Sequence, residues 1–440
     1  MWRVVLNLAA GLLWAAEPEP TVVTIAEAVR MATERYPDVG KAKANADQLK
    51  GRIREVRSEA LPSVNFNSNF LRWRDPSLLN ASGIEKFPPE LRDALVPVGV
   101  NLFDYYLNVK QTLYTAGKIG TALRLASVEA EGATVEIDRA EQDLAMNVVR
   151  AFYGLIRAER YLELMKEAQQ QRQRHAEMAR TRFRNGVATE VDVLRSEVAV
   201  ANIGPEVVRA ENDIRQARAL LNFYIVRPIE APTEAAGQFT DKEWTDGDLE
   251  TLTLEAMRRR PEIVSLRIAE RSAGMQVQLA QAQSRMRLDF EGNYGIITRM
   301  PQNLANAEFV RWSIGFNYTF PIFDGFKRSG LVWQATAAQR AARLEREKAE
   351  QQVRLSLQQG LDDLRAARET IAAVRANVQQ ADRVLEMTQA NYKYGAATSL
   401  DIVDAQAART VARINLLRGM HDYTIARANL RWLVGWTPWE

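Results

Sequence analysis

Two stretches decide the fold: Phe183-Arg184-Asn185-Gly186-Val187-Ala188-Thr189-Glu190-Val191-Asp192-Val193 and Tyr392-Lys393-Tyr394-Gly395-Ala396-Ala397-Thr398-Ser399-Leu400-Asp401-Ile402. They are one motif written twice, 209 residues apart, so that Gly186 answers Gly395, Thr189 answers Thr398 and Asp192 answers Asp401. In each copy the glycine suits the left-handed position that closes a helix. The threonine suits the N-cap of a following helix, and the aspartate three residues on completes a capping-box arrangement. Each motif therefore predicts a helical hairpin with this turn at its tip.

Working outward, the same offset pairs Leu113-Tyr114 with Ile322-Phe323 and Lys118 with Lys327. Further upstream, Tyr36-Pro37-Asp38 answers Arg260-Pro261-Glu262, and Val64, Phe66 and Phe70 answer Leu288, Phe290 and Tyr294 at an offset of 224. The first copy thus carries 15 extra residues between about Phe70 and Leu113. The chain is an internal duplication, and the repeat governs its organisation. The first repeat is expected over 17–226, a linker rich in proline, glycine and acids over 227–250, the second repeat over 251–435 and a short tail over 436–440.

No proline lies between Pro97 and Pro205 or between Pro321 and Pro438, and strong helix formers fill both windows. Leu357, Leu364, Ile371, Val378, Leu385 and Tyr392 recur every seven residues, with Ala367, Val374 and Ala381 three residues after an apolar site. That is a coiled-coil seam. Val148, Leu155 and Leu162 answer it in the first repeat, where the pattern weakens at Gln169 and Ala176. Helices over 118–184 and 327–394, each with a returning helix to about 224 and 434, would each span about 100 Å. Such lengths suit a tube or stalk. Gly204-Pro205 falls inside the first returning helix, and a break or kink is expected there because proline removes a backbone hydrogen bond.

Each long helix follows two segments of period two, preceded in each repeat by a helix. Val64, Phe66 and Phe70 alternate with Asn65, Asn67 and Asn69, and Phe103, Tyr105, Leu107 and Val109 make a second segment. Leu288, Phe290, Tyr294 and Ile296 alternate with Asp289, Glu291 and Asn293, and Trp312, Ile314, Phe316, Tyr318 and Phe320 with Ser313, Gly315, Asn317 and Thr319. Strands are expected at about 63–73, 100–110, 287–298 and 309–320. One apolar, aromatic face over about ten residues is the pattern of a transmembrane β-barrel strand. A half-buried strand in a soluble sheet alternates in the same way; the long helices favour the membrane reading. Four strands cannot close a barrel, and a membrane tolerates no unpaired edge, so the chain is expected to oligomerise, as a dimer or a trimer. The segment 75–97, with Asp75-Pro76, Gly83, Pro88-Pro89 and Pro97, reads as a long strand-to-strand loop on an extracellular face.

Residues 1–16, with Arg3 ahead of the apolar run from Val4 to Leu13, read as a secretory signal too short to span a bilayer. With no cysteine in the chain, disulfides, thiolate chemistry and an acyl anchor are excluded. Basic and acidic residues are balanced, 58 against 55, and dispersed, which excludes a nucleic-acid footprint. The two histidines, His175 and His421, stand singly on helical patterns and read as solvated or packed side chains. No nucleophile–base pair, metal cluster or phosphate loop is present in the sequence, so no catalytic residue and no cofactor is expected. Asp404 follows Asp401 by three residues, on the same helical face. Alone that is a solvated acidic face; repeated around an axis it becomes a carboxylate ring that binds cations.

The duplication, the segment Pro321-Ile322-Phe323-Asp324-Gly325 with its counterpart Tyr114-Thr115-Ala116-Gly117-Lys118, and the two Gly-x-x-Thr-x-x-Asp tips together resemble the TolC-like outer-membrane efflux protein family over about residues 24–435. The resemblance implies an α+β membrane protein: a homotrimer with a 12-stranded outer-membrane β-barrel and a 12-helix periplasmic α-barrel. It implies an exit duct of a tripartite efflux or type I secretion system, joined to a periplasmic adaptor (membrane fusion) protein and an inner-membrane transporter, and doing no chemistry. By position it makes Asp401 and Asp404 aperture carboxylates, Tyr392 a tip tyrosine that holds the aperture shut, and Asp192 an acidic partner on the facing hairpin. Gly186, Val187, Ala188, Thr189, Gly395, Ala396, Ala397 and Thr398 become the adaptor-docking tips. Ala397 stands where the family places a basic latch residue, so closure here is expected to rest on packing and Tyr392. The alternative is a soluble periplasmic coiled-coil adaptor or scaffold, which leaves the aromatic strands unexplained.

Overall fold

The computed structural model describes residues 21–73, 86–91 and 100–439. The expected signal and most of the long first-repeat loop lie outside the described residues. In chain order the elements are β1 (Thr21–Val23), α1 (Ile25–Arg35), α2 (Pro37–Ser58), β2 (Ser63–Trp73), β3 (Val100–Tyr114), α3 (Lys118–Arg184), α4 (Glu190–Tyr224), β4 (Thr233–Ala235), α5 (Leu249–Arg259), α6 (Pro261–Ala282), β5 (Arg287–Thr298), β6 (Val310–Thr319), α7 (Lys327–Lys393) and α8 (Ser399–Val434). The chain divides into two compact units. One holds the residues up to Lys43, Val135–Val264 and from Lys348 onward; the other holds Ala44–Thr134 and Ser265–Glu347.

In the second unit β2, β3, β5 and β6 form one antiparallel sheet in that order. The two repeats meet at its centre, where Leu107 of β3 faces Tyr294 of β5. Register places Phe66, Leu107, Tyr294 and Trp312 in one row across all four strands, with Val64, Val109 and Ile314 in the next. Trp312 on this face is 71% exposed, and Phe66, Ile314 and Phe316 are exposed like it. The opposite face is polar and internally bonded. Asn108 donates to Glu291 and Asn293, Thr112 donates to Asp289, and Arg311 pairs with Asp104. β3 runs four residues past the expected end, to Tyr114, by way of a register shift between Thr112 and Tyr114. In the same unit α6 is tied to α3 by Arg271 and Glu131 and to α7 by Arg346 and Glu270.

The first unit carries the apolar cores. In the first repeat Val148, Phe152, Leu155 and Leu221 pack with Val29 and Val39. In the second, Leu357, Leu361, Leu364 and Ile371 pack with Leu252, Ile263, Tyr423 and Leu430. The residues preceding each long helix's strands make two helices per repeat rather than one. The prolines at 37 and 261 force extended backbone on Tyr36 (ψ 133°) and Arg260 (ψ 119°), which breaks each helix in two. Within the linker, β4 pairs in parallel with β1, Thr21 opposite Thr233. Of the break or kink expected at Pro205, the break is absent: α4 runs continuously through it over 35 residues. Ile203, Val207 and Ala210, buried on both sides of the proline, hold the helix where one hydrogen bond is missing.

Candidate functional site: the hairpin tips

The site is built on the two reversals, α3 into α4 and α7 into α8. Each first helix ends on a glycine with positive φ, +72° at Gly186 and +80° at Gly395. The carbonyls left free there are taken up in the same way twice. Val187 N–H donates to Arg182 and Gly186 N–H to Phe183; Ala396 N–H donates to Asn391 and Gly395 N–H to Tyr392. Thr189 and Thr398 then cap the returning helices in reciprocal boxes. The Asp192 amide donates to Thr189 Oγ1 at 3.3 Å, while Thr189 N–H and O–H donate to the Asp192 carboxylate at 3.1 and 2.7 Å. In the second hairpin the corresponding distances are 3.3, 2.7 and 2.8 Å.

These bonds set the carboxylate electrostatics. The Thr398 amide and then its hydroxyl hold Asp401 below the usual carboxylate range; for Asp192 the Thr189 hydroxyl contributes most, then the amide. A depressed carboxylate stabilises the fold above its unfolded value, and that contribution is lost as pH falls through the folded value. Asp404 sits one turn beyond Asp401, and both are exposed. Asp401, Asp404, Gly395, Ala396 and Thr398 therefore cluster at one tip, and Gly186, Val187 and Thr189 at the other, with Asp192 half-buried and bonded to its own cap.

Tyr392 behaves differently from its neighbours at the tip. It is 6% exposed, and the Arg182 guanidinium lies 4.4 Å from its ring centre. Arg182 Nη1 also donates to the Tyr392 carbonyl at 2.6 Å, so one arginine of the first hairpin clasps the end of the second. His175, 3% exposed, meets the Tyr392 ring edge-on at 5.5 Å, and its Nε2 lies 3.0 Å from Ser399 Oγ. Two to three helical turns back along α3 and α7, Glu167 and Asp382 share Arg409 and Arg413 of α8. Arg409 reaches Asp382 at 2.5 Å and Glu167 at 3.1 Å; Arg413 reaches Glu167 at 2.9 Å and Asp382 at 3.4 Å. Sequence reasoning found neither this quartet nor Arg182 and His175. The spacing of Arg409 and Arg413, four residues apart beside buried Ala405, Gln406 and Ala412, is the one sequence signal that points to it.

Among the described residues no group of histidines and carboxylates is arranged to hold a metal ion. A four-stranded sheet that is largely apolar and exposed on one face, with duplicated helical hairpins capped at carboxylate-bearing tips, has the form of an outer-membrane channel protein. The outer membrane efflux protein family matches the chain over residues 28–225 and 252–436, and the chain belongs to that family. It is an outer-membrane efflux duct. The chain is 23% identical to outer membrane protein TolC of Vibrio cholerae over 420 residues, covering 93% of this chain and 90% of that one. Its fold is that of the Campylobacter jejuni CmeC outer membrane channel (TM-score 0.81, 18% identity, 93% of this chain and 85% of that one). It also matches a membrane protein from Pseudomonas aeruginosa (TM-score 0.82, 20% identity, 94% and 91%).

Proposed function

We propose that three copies of this chain form one duct: twelve strands closed into an outer-membrane barrel, and twelve helices closed into a periplasmic tube. The sheet carries this reading. Most of its exposed face is apolar or aromatic, with Phe66, Leu107, Tyr294 and Trp312 in one row, and its end strands β2 and β6 are each paired on one side only among the described residues. Hydrocarbon suits the apolar face but tolerates no open edge, so β6 of one copy pairs with β2 of the next. The duct is passive. Substrate enters from an inner-membrane transporter through a periplasmic adaptor that docks on Gly186–Thr189 and Gly395–Thr398, where the amides of Gly186, Val187, Gly395 and Ala396 are bonded within the turn. Asp401 and Asp404 ring the narrow end, and Tyr392, clasped by Arg182, keeps it closed without a basic residue at 397. Asp192 contributes its charge from the facing hairpin.

Planar-bilayer conductance and particle mass, measured on one detergent-purified sample, test this. A three-copy particle with small, cation-selective conductance is expected. A water-soluble species without conductance would replace the duct with a periplasmic scaffold.

A further inference from the structure

A cavity of about 580 Å³ lies beside the second tip, between the two hairpins of the first unit. His175, Tyr392 and Gln406 line it, and each is at least nine-tenths buried. Each also keeps one polar atom without a hydrogen-bond partner: His175 Nδ1, Tyr392 Oη and Gln406 Oε1. Buried polar atoms in native folds are mostly paired, so three that face one chamber make it a polar chamber between the hairpins. From this geometry we infer that His175 is a proton-operated catch between the hairpins, closed when the imidazole is neutral and released when it is protonated. The inference rests on the reading of the tips as the closed end of the duct.

The chemistry follows from the two ring nitrogens. In the neutral ring Nε2 engages Ser399 Oγ, and Ser399 is the first residue of α8, so the bond ties the first hairpin to the start of the second hairpin's returning helix. Protonation makes both nitrogens donors. Nδ1 then carries an N–H that no protein acceptor takes up in the closed arrangement, and the charge sits on a ring only 3% exposed. Charged groups of both signs stand around the ring. Arg174 and Arg182 on α3 and Arg409 and Arg413 on α8 bring four cations to this region. Asp382 and Glu386 on α7 line the cavity, but Asp382 is already bonded to Arg409 and Arg413. Asp192 on α4 favours the charged ring and is itself held by Thr189. Burial is the largest influence and pulls the histidine below its ordinary value of 6.5.

The sign is therefore fixed. The unfolded or released ring takes its proton first, so the closed arrangement weakens as pH drops below the ordinary histidine value and is fully favoured above it. The position is particular to this hairpin: the residue answering His175 in the second repeat is Val384, which is exposed.

The chain has no cysteine, so two can be introduced without background. Spin labels on V187C and A396C, both at exposed tip positions, report the separation of the hairpin tips by double electron–electron resonance. In the purified full-length protein the distance distribution is expected to shift to longer values and broaden between about pH 7.5 and about pH 5. His175→Gln keeps a donor for Ser399 but cannot titrate, so its distribution should not change with pH. His175→Arg should show the long distances already at the higher pH. The inference is overturned if the parent distribution does not move with pH, or if H175Q moves as the parent does. Particle mass and helical circular dichroism at the higher pH establish that each variant is folded. Conductance recorded on the same samples separates the two readings: tips that open with acid while current stays unchanged would leave the catch and remove the gate.

Discussion

The two hairpin tips share a backbone and differ in what lies under it. Their glycines, capping boxes and carbonyl closures match bond for bond, yet Tyr392 is 6% exposed whereas Phe183, its counterpart 209 residues earlier, is 45% exposed. Below the turn, buried Ser399, Ile402 and Gln406 answer Glu190, Val193 and Glu197, none of which is buried. The charge pattern differs as well, since Arg195 stands where the second hairpin has Asp404. Duplication kept the instructions for reversing the chain and let the packing face diverge. The turn is scaffold in both copies; the buried packing beneath it belongs to the second alone.

That contrast can be broken most sharply at its aromatic pair. Tyr392→Ala should cost about 3–5 kcal/mol of local stability, because it empties a buried site and frees Arg182. Phe183→Ala should cost roughly 1 kcal/mol or less, as the ring is already half in water. Hydrogen exchange of the amides flanking each tip measures both; equal losses would mean that the tips are packed alike. The next effect should be symmetrical. Gly395→Val and Gly186→Val each force a β-branched residue to positive φ, which costs about 1–3 kcal/mol. Space is not the obstacle, for a Cβ at either position meets nothing within 4 Å. Both variants should still reach the outer membrane as assembled particles, with adaptor binding weakened. Loss of assembly in either would show that the glycine is needed for folding instead. The smallest effect on stability should come from Asp404→Asn, within about 0.5 kcal/mol at an exposed position. It should nonetheless weaken polyvalent-cation block of single-channel current several-fold, while Arg195→Gln should not weaken it. Unchanged block in D404N would take Asp404 out of the pore.

What the sequence discloses follows the reach of the interactions involved. Caps are contacts over three residues, so Thr189–Asp192 and Thr398–Asp401 are written in adjacent letters. The heptad marks Leu357, Leu364, Ile371 and Leu385 are buried because a long helix converts spacing into a stripe. Alternation told the strands' two faces apart for the same reason. The clasp of Arg182 on Tyr392 joins residues 210 apart, and His175 meets Ser399 across 224. No periodicity records such pairs, and a lone histidine on a helix looks the same whether it faces water or a neighbouring hairpin. Pro205 works in the opposite direction: a local rule allows a break or a kink, and with buried residues on both sides of the proline the helix does not break. The pairing of β1 with β4 was hidden because three residues are too few to show a pattern.

The central pair of the sheet has a consequence in time. β2 and β3 are neighbours in sequence, but β3 and β5 meet through residues such as Asn108 and Asn293, 185 positions apart. The whole of the first hairpin must emerge and fold back before the sheet can gain its third strand. Closing so long a loop is slow, and nothing rewards it until the strands are in register. The hairpins, held by local caps and seams, can form early, whereas the sheet must form late. Until then its aromatic face is exposed in the periplasm, the stage at which a nascent chain of this kind most needs an escort.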